Sequence, residues 1–441
     1  MLDRLTSLET FGIKLGLENI SRLCEALGHP ERSFTTLHVA GTNGKGSVTA
    51  MAHAALAAAG LRTARYTSPH LADITERFVI GNDAVDTATF NAVAHEVLDL
   101  ADRLVASGTL RVLPTFFEAT TAIAFELFRR AAIEVAVIEV GLGGRFDATN
   151  VITPVAGAIT TIGFDHQQHL GSTHGEIAFE KAGIIKPGMT VVAGALPAPA
   201  MDVVRRVATE RGATLLESAT DTRVTAESVD GASRVTFETP QGRYGPLTLA
   251  LRGDHQVGNA VVATRLLEAA AASGVPVRPA HIERGLSTAL WPARLEYLQL
   301  DGSHRVLLDS AHNAEGAAAL AAHLRRWHPN GLPLVVGIMR DKDVADILAP
   351  LLPLTSHVIA TSAPTPRALP ADELAGRVRA AAERLALTRL KVDVDEEPLH
   401  AVHRALSGSG LVCVAGSIFL VGPLRERLLA RAVAATPPPA R

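Results

Sequence analysis

Short runs of apolar, often β-branched residues alternate with longer alanine- and leucine-rich stretches through the first half of the chain. Thr36–Ala40, Glu134–Val140, Ala156–Ile162 and Thr190–Ala193 have the length and composition of buried strands. Val48–Ala59, Thr89–Ala106 and Phe117–Ala132 have those of helices. Apolar strands joined by helical crossovers predict a parallel sheet covered on both faces. The rhythm breaks over Arg223–Leu251, where Val235–Glu238, the turn Gln241-Gly242 and Pro246–Leu251 predict an antiparallel ribbon. A helix follows His255 and extends to Ser273. Beyond Trp291 a second alternation begins, with strands expected at Arg305–Asp309, Leu334–Gly337, His357–Thr361, Leu390–Val394 and Leu411–Ala415. The pattern predicts two α/β domains, residues 1–290 and 291–441, with no long internal repeat. The proline-rich tail Thr436–Pro439 reads as a frayed end.

Composition narrows this picture only a little. A chain of 441 residues exceeds what one core serves, in keeping with two domains. A net charge of −3 gives no electrostatic reason to expect nucleic acid or an anionic membrane as partner. Cys24 and Cys413 cannot make a disulfide framework, so a reducing compartment fits and both read as core residues. Met1-Leu2-Asp3-Arg4 lacks a signal-peptide pattern, and apolar runs such as Ala50–Ala59 are too short to span a bilayer. A cytoplasmic location is the expectation.

The candidate chemistry begins at the first strand. Gly41-Thr42-Asn43-Gly44-Lys45-Gly46-Ser47 follows it and leads into a helix. Such a turn aims backbone N–H groups at one point with a helix N-terminus behind them, a cradle for phosphate. Lys45 would neutralise β/γ-phosphates and Ser47 would help hold a metal. The loop is a variant: Gly46 separates the lysine from the hydroxyl, and Val39 occupies the earlier glycine position of the general phosphate loop. The N-terminal domain is therefore expected to be P-loop ATPase-like, with a mostly parallel sheet and a small antiparallel ribbon, and the C-terminal one Rossmann-like.

Four further stretches end or follow strands, where open α/β sheets place their ligands. Tyr66–Leu71, followed by Glu76-Arg77, is a hydroxyl-rich loop able to offer oxygen to a cation, though taken alone it reads first as a turn before a helix. Ile138–Asn150 sets Glu139 at the end of an apolar strand before glycines, which suits Mg²⁺ bound by one or two protein oxygens plus phosphates. Thr160–His166 delivers a polar cluster ending in Asp165-His166; His169 and His174 nearby show that histidine alone is not diagnostic. In Phe179–Lys186, Lys181 reads either as a solvated helix charge or as a partner in an acidic metal site.

These motifs, in this order, resemble the dihydrofolate synthase and folylpolyglutamate synthase enzymes of the wider ATP-dependent Mur ligase superfamily. The resemblance rests on Gly41–Ser47, Thr67–Leu71, Glu139–Asn150, Gly163–Gly171, Glu180–Ile184, His255–Ala260, Trp291–Glu296, Asp309–Asn313, Asp341–Asp343 and Gly416-Ser417. It implies that Gly41, Thr42, Asn43, Gly44, Lys45, Gly46 and Ser47 bind ATP phosphates, and that Ser68, Glu139 and His166 bind magnesium. Lys181 matches a lysine carbamylated in the superfamily, and Asn259 one that approaches adenine. Arg294 and His312 would reach the phosphates, Asp309 the ribose and Ser417 the incoming glutamate. Phe116, Phe117 and Glu118 would border a pterin pocket.

The resemblance implies ATP and Mg²⁺, with a monovalent cation as a further cofactor, and a monomer acting on dihydropteroate or reduced folate and L-glutamate. It further implies an acyl-phosphate route and a bifunctional enzyme, with no serine or cysteine nucleophile. The sequence departs from the usual pattern at Thr75, Ala293, Ser310, Ala314 and Gln167-Gln168. Two other readings share parts of this set. A muropeptide ligase carries a whole domain before its phosphate loop, and only about forty residues precede Gly41. A nucleotide-driven switch has no use for the polar strand ends of the second domain.

Overall fold

A computed structural model describes residues 2–8, 16–229 and 231–435, the last four by backbone alone. The expected tail Thr436–Pro439 lies outside these residues. The chain divides into two compact units. The first runs to Leu290 except for Ser228–Ser233 and Leu251–His255, which group with the second unit from Trp291 onward.

The first unit is built on eight strands: β1 (Thr35–Ala40), β2 (Thr63–Tyr66), β3 (Phe78–Ile80), β4 (Asp83–Ala84), β5 (Val135–Glu139), β6 (Ala156–Ile159), β7 (Thr190–Ala193) and β8 (Thr214–Glu217). Their order is β4-β3-β2-β5-β1-β6-β7-β8, parallel from β2 to β8, with β3 and β4 antiparallel at one edge. β1 lies between β5 and β6 and is buried over almost its whole length, which is why Leu37, Val39 and Ala40 leave no alternation. The helix Lys45–Ala58 behind it is rich in alanine because another helix, Pro279–Thr288, lies directly against it. A Cβ on Gly285 would stand 2.5 Å from the Ala55 nitrogen.

The ribbon has three strands rather than two: β9 (Arg223–Val229), β10 (Ala232–Thr239) and β11 (Gly242–Thr248), in the order β11-β10-β9. The exposed face of β9 hides it from hydrophobic pattern reading. A buried charge network ties this ribbon to the helix His255–Ala272. Arg265, 1% exposed, donates to Asp221 Oδ2 at 2.8 Å and also to Glu268 and Gln241. The Tyr244 hydroxyl donates to Glu268 Oε1 at 2.7 Å.

The second unit carries β12 (Glu296–Gln299), β13 (Arg305–Leu308), β14 (Leu332–Val336), β15 (Thr355–Ala360), β16 (Lys391–Val394) and β17 (Leu411–Ala415). Their order is β12-β13-β17-β14-β15-β16, parallel except for β12. Both cysteines are buried. Among the described residues no helix is long and apolar enough to cross a membrane.

Removing Arg265 leaves Glu268 as an uncompensated buried carboxylate, so Arg265→Ala is expected to cost about 3–5 kcal/mol. Urea unfolding monitored by circular dichroism measures this; a cost below about 1 kcal/mol would mean the network behaves like a surface pair.

Candidate active site

The phosphate loop leaves the C-terminal end of β1 and is stitched to the segment after β6. Thr42 N donates to the Thr161 carbonyl at 2.8 Å and Asn43 N to Thr161 Oγ1 at 3.0 Å. The Thr160 hydroxyl donates to the Asn43 carbonyl at 2.6 Å, and Gly163 N to Thr42 Oγ1 at 3.0 Å. β6 therefore stops at Ile159, three residues before the expected Ile162, because Thr160 and Thr161 leave the sheet to hold this loop. Sequence reading places both threonines in the last part of the strand, at the start of a polar cluster, and gives neither a role.

Glycine is needed at two points of the turn. A Cβ on Gly41 would stand 1.9 Å from Thr160 Oγ1. Gly44, at φ +84°, opens the helix Lys45–Ala58, and a Cβ there would stand 2.4 Å from Asn259 Oδ1. Asn259 thus lies against the phosphate loop, its amide donating to Gln256 Oε1 at 2.9 Å. Gly46 and Ser47 are buried in the first turn of that helix.

Two lysines converge on one carbonyl. Lys45 Nζ donates to the Gly41 and Thr42 oxygens at 3.1 and 3.2 Å, and Lys181 Nζ to the same Gly41 oxygen at 3.0 Å. Lys181 is 4% exposed. Burial, reinforced by the Lys45 charge and opposed by Asp165 and Asp147, pushes its ammonium down to about 7. The surface-charge alternative for Lys181 is thereby overturned.

The sheet order brings the other expected residues to the same edge. Ser68 follows β2 and Glu139 ends the adjacent β5; Ser68 N donates to Glu139 Oε2 at 3.3 Å. Glu139 is 4% exposed, and its charge acts on Arg65 of β2. His166 follows β6, so β1 and its loop separate it from β5. Its ring is exposed, its backbone is left-handed at φ 50°, and its Nε2 lies 3.9 Å from Asp165 Oδ1. Among the described residues no three His, Cys, Asp or Glu side chains gather as a metal-binding group.

Phe116 and Phe117 open the helix Phe116–Arg130. The Phe117 ring covers Gly141, where a Cβ would stand 2.5 Å from it. The Arg77 guanidinium lies 5.1 Å from the centre of Phe116 and donates to His70 Nδ1 at 2.9 Å. Tyr66 lies 5.6 Å from Phe78 and 6.0 Å from Phe117, ring centre to ring centre. Glu118 acts locally. Its carboxylate accepts Thr115 N at 2.8 Å and the Thr115 hydroxyl at 3.0 Å, closing a capping box. Tyr66 and Arg77 join this aromatic wall, and sequence reading gave neither a role there.

In the second unit, Asp309 at the end of β13 holds two loops. Its Oδ2 accepts Leu295 N and its Oδ1 accepts Ala311 N, both at 2.9 Å. Arg294 stands between Ala293 at φ 57° and Leu295 at φ 47°. An alanine held in the left-handed region at position 293 costs about 1–2 kcal/mol. The His312 Nδ1 donates to the Ser310 carbonyl at 2.9 Å, which fixes the ring and leaves Nε2 as its other polar edge. His255 is held below the usual imidazole range by burial and the Arg294 charge, against the pull of Asp309. Ser417 follows β17 through Gly416, where a Cβ would meet the Gly337 oxygen at 2.7 Å; its Oγ accepts Phe419 N at 3.1 Å.

A methyl group at Gly41 has no room beside Thr160, so Gly41→Ala is expected to abolish nucleotide binding, read by titration with a fluorescent ATP analogue. Thr160→Ser keeps the hydroxyl and should bind normally; equal loss in both variants would show that the loop depends on more than this contact.

A model described as the Mur ligase middle domain matches residues 39–267, and one described as dihydrofolate synthetase, C-terminal domain, matches residues 294–428. Over 415 residues the chain is 37% identical to folylpolyglutamate synthase of Lacticaseibacillus casei, covering 93% of this chain and 94% of that one. It is 36% identical over 392 residues to dihydrofolate synthase/folylpolyglutamate synthase of Mycobacterium tuberculosis, covering 85% and 79%. The solved structure of Mycobacterium tuberculosis folylpolyglutamate synthase complexed with ADP superposes with a TM-score of 0.88 at 33% identity, covering 97% and 98%. An E. coli structure in complex with DHPP and ADP gives a TM-score of 0.84 at 29% identity, covering 98% of each chain. These matches favour folate ligation over a muropeptide ligase or a nucleotide switch. With a phosphate loop gripped by Thr160 and Thr161, a strand-end carboxylate beside it and likeness to these relatives across both units, the chain belongs to the dihydrofolate synthase/folylpolyglutamate synthase family of Mur ligases.

Proposed function

We propose that this protein joins L-glutamate to dihydropteroate and to reduced folates, consuming ATP and releasing ADP and phosphate. The observation that carries this reading is the convergence of Lys45 and Lys181 on the Gly41 carbonyl, at the sheet edge that also carries Ser68 and Glu139. Hydroxide is a poor leaving group, so a carboxylate must be activated before an amine can displace its oxygen. Transfer of the γ-phosphoryl group to the folate carboxylate gives an acyl phosphate. The glutamate amine attacks its carbonyl carbon, phosphate departs with the C–O bonding pair, and the amine loses a proton. Such transfer needs alignment and charge neutralisation more than covalent help. The loop Gly41–Ser47 would hold the phosphates by the backbone N–H groups of Gly44–Ser47 and by Lys45, with Thr42 N and Asn43 N anchoring the turn to Thr161. Arg294 and His312 would add donors from the second unit, with Asp309 on the ribose, Asn259 on the base and Ser417 on glutamate. Phe116 and Phe117 would line the pterin side, with Glu118 shaping that wall through its cap.

Ser68, Glu139 and His166 supply a hydroxyl, a buried carboxylate and an imidazole, a set that fits Mg²⁺ completed by phosphates and water. Bound there, the ion would offset phosphate charge. Lys181 fits carbamylation on physical grounds. Its ammonium, pushed down to about 7, yields much free amine at neutral pH. Addition of CO2 gives N-carboxylate and a proton, replacing repulsion from Lys45 by attraction.

ADP release is expected only when glutamate and either dihydropteroate or tetrahydrofolate are present together, with each folate tested separately. Glu139→Ala should lose at least about 100-fold in that assay while remaining folded. Turnover without either co-substrate, or an unchanged rate in Glu139→Ala, would count against the reading.

The pH dependence of Lys181 has a definite sign. Between about 7 and its ordinary value of 10.5, the unfolded chain holds a proton that the fold has lost. Stability from this group, and free amine for CO2, therefore both rise with pH across that window. Mass spectrometry of intact protein from bicarbonate buffer should show the carbamyl adduct growing between pH 6 and 8, and none in Lys181→Arg; a pH-independent adduct would place it elsewhere.

A further inference from the structure

Arg294 is held in a backbone conformation that its neighbours would not choose. Ala293 and Leu295 on either side are both left-handed, and neither is glycine. A turn of this kind persists only when its surroundings over-determine it. Ala293 N donates to Glu296 Oε2 at 2.8 Å, and Leu295 N to Asp309 Oδ2 at 2.9 Å. The Ala293 carbonyl accepts Ser310 N at 2.9 Å and Arg294 Nη1 at 3.2 Å. Asp309 is buried and fixed by a second backbone donor. Glu296 is only partly buried, and what fixes it comes from the other end of the unit.

That partner is Arg425, on the helix Ile418–Ala435. Its Nε donates to Glu296 Oε2 at 2.7 Å and its Nη2 to Oε1 at 2.8 Å, a two-pronged pair at 21–23% exposure. Oε2 is thus shared between the guanidinium and Ala293 N. With the fork in place, the carboxylate has one orientation, and that orientation is the one that meets Ala293. Without it, the Glu296 side chain is free to rotate toward water and the left-handed residue 293 loses its donor contact.

We propose that Arg425, acting through Glu296, is a positioning residue for Arg294: it fixes the turn that presents the Arg294 guanidinium to the transferring phosphate, without touching substrate. This rests on the reading of Arg294 as a phosphate-binding residue. The helix carrying Arg425 starts directly after Ser417, so the expected glutamate position and the support for Arg294 share one rigid element.

The test measures ADP formation, KM for each substrate and the thermal midpoint in the full chain. Arg425→Met, which keeps the aliphatic bulk, should lower kcat/KM for ATP by about 10- to 100-fold. KM for folate and glutamate, and the thermal midpoint, should stay near those of the parent. Arg425→Lys, with the charge but not the fork, should recover little. Arg294→Ala should be at least as impaired, and Arg294→Ala combined with Arg425→Met no worse than Arg294→Ala alone. Ala293→Gly should restore much of the activity of Arg425→Met, because glycine adopts the turn unaided. Should Arg425→Met fold poorly, Glu296→Gln is read by the same assays. An active Arg294→Ala would overturn the phosphate role of Arg294 and the proposal with it. An impaired Arg294→Ala beside a fully active Arg425→Met, multiplying losses in the double variant, or no rescue by Ala293→Gly would overturn the proposal alone.

Discussion

Two ammonium groups on one backbone oxygen set the terms for the first unit. The Gly41 carbonyl can accept Lys45 and Lys181 only if the chain reverses tightly at the end of β1, and only glycine leaves space for Thr160 at that point. The reversal in turn needs its own N–H and C=O groups satisfied, since a half-buried loop cannot leave them to water. Thr160 and Thr161 meet that need from the end of β6, and the parallel neighbourhood of β1 and β6 is what delivers them. Sheet order, loop conformation and the depressed basicity of Lys181 are thus successive results of one crowded turn.

The second unit solves a related problem with carboxylates instead of hydroxyls. Asp309 and Glu296 each take a backbone N–H from the short stretch around Arg294. In both units a strand end supplies a fixed acceptor or donor, and a flexible cation is carried by the loop so held. Lys45 and Arg294 are long side chains with many rotamers, so their usefulness depends on how firmly their own backbone is anchored.

Much of this was legible in the chain. Mostly apolar strands without alternation, such as Thr36–Ala40, pointed to a buried parallel sheet, and motifs after successive parallel strands share one edge. The structure put Ser68 beside Glu139 and Lys181 beside Lys45 accordingly. The misses have physical causes. Thr160, Thr161 and Ile162 are all β-branched, as strand residues often are, so pattern alone could not show that the hydroxyls had another use. β9 and β12 are short or exposed and carry little hydrophobic signal. Thr115 and Glu118 have capping-box spacing, a local signal that sequence alone contains and that the pocket reading of Glu118 passed over. The pairs Arg425–Glu296 and Arg265–Asp221 join residues remote in sequence, and no local rule identifies them.

The alanine-rich helix behind the phosphate loop has a consequence for nucleotide affinity. Ala50, Ala52 and Ala55 are fully buried, and the neighbouring helix presents Gly285 to Ala55. None of these side chains has rotamers to lose. On the proposed reading, phosphates settling on the helix N-terminus would meet a backing of buried alanines with no rotamers to freeze, so little of the contact energy would be consumed there by ordering the receptor.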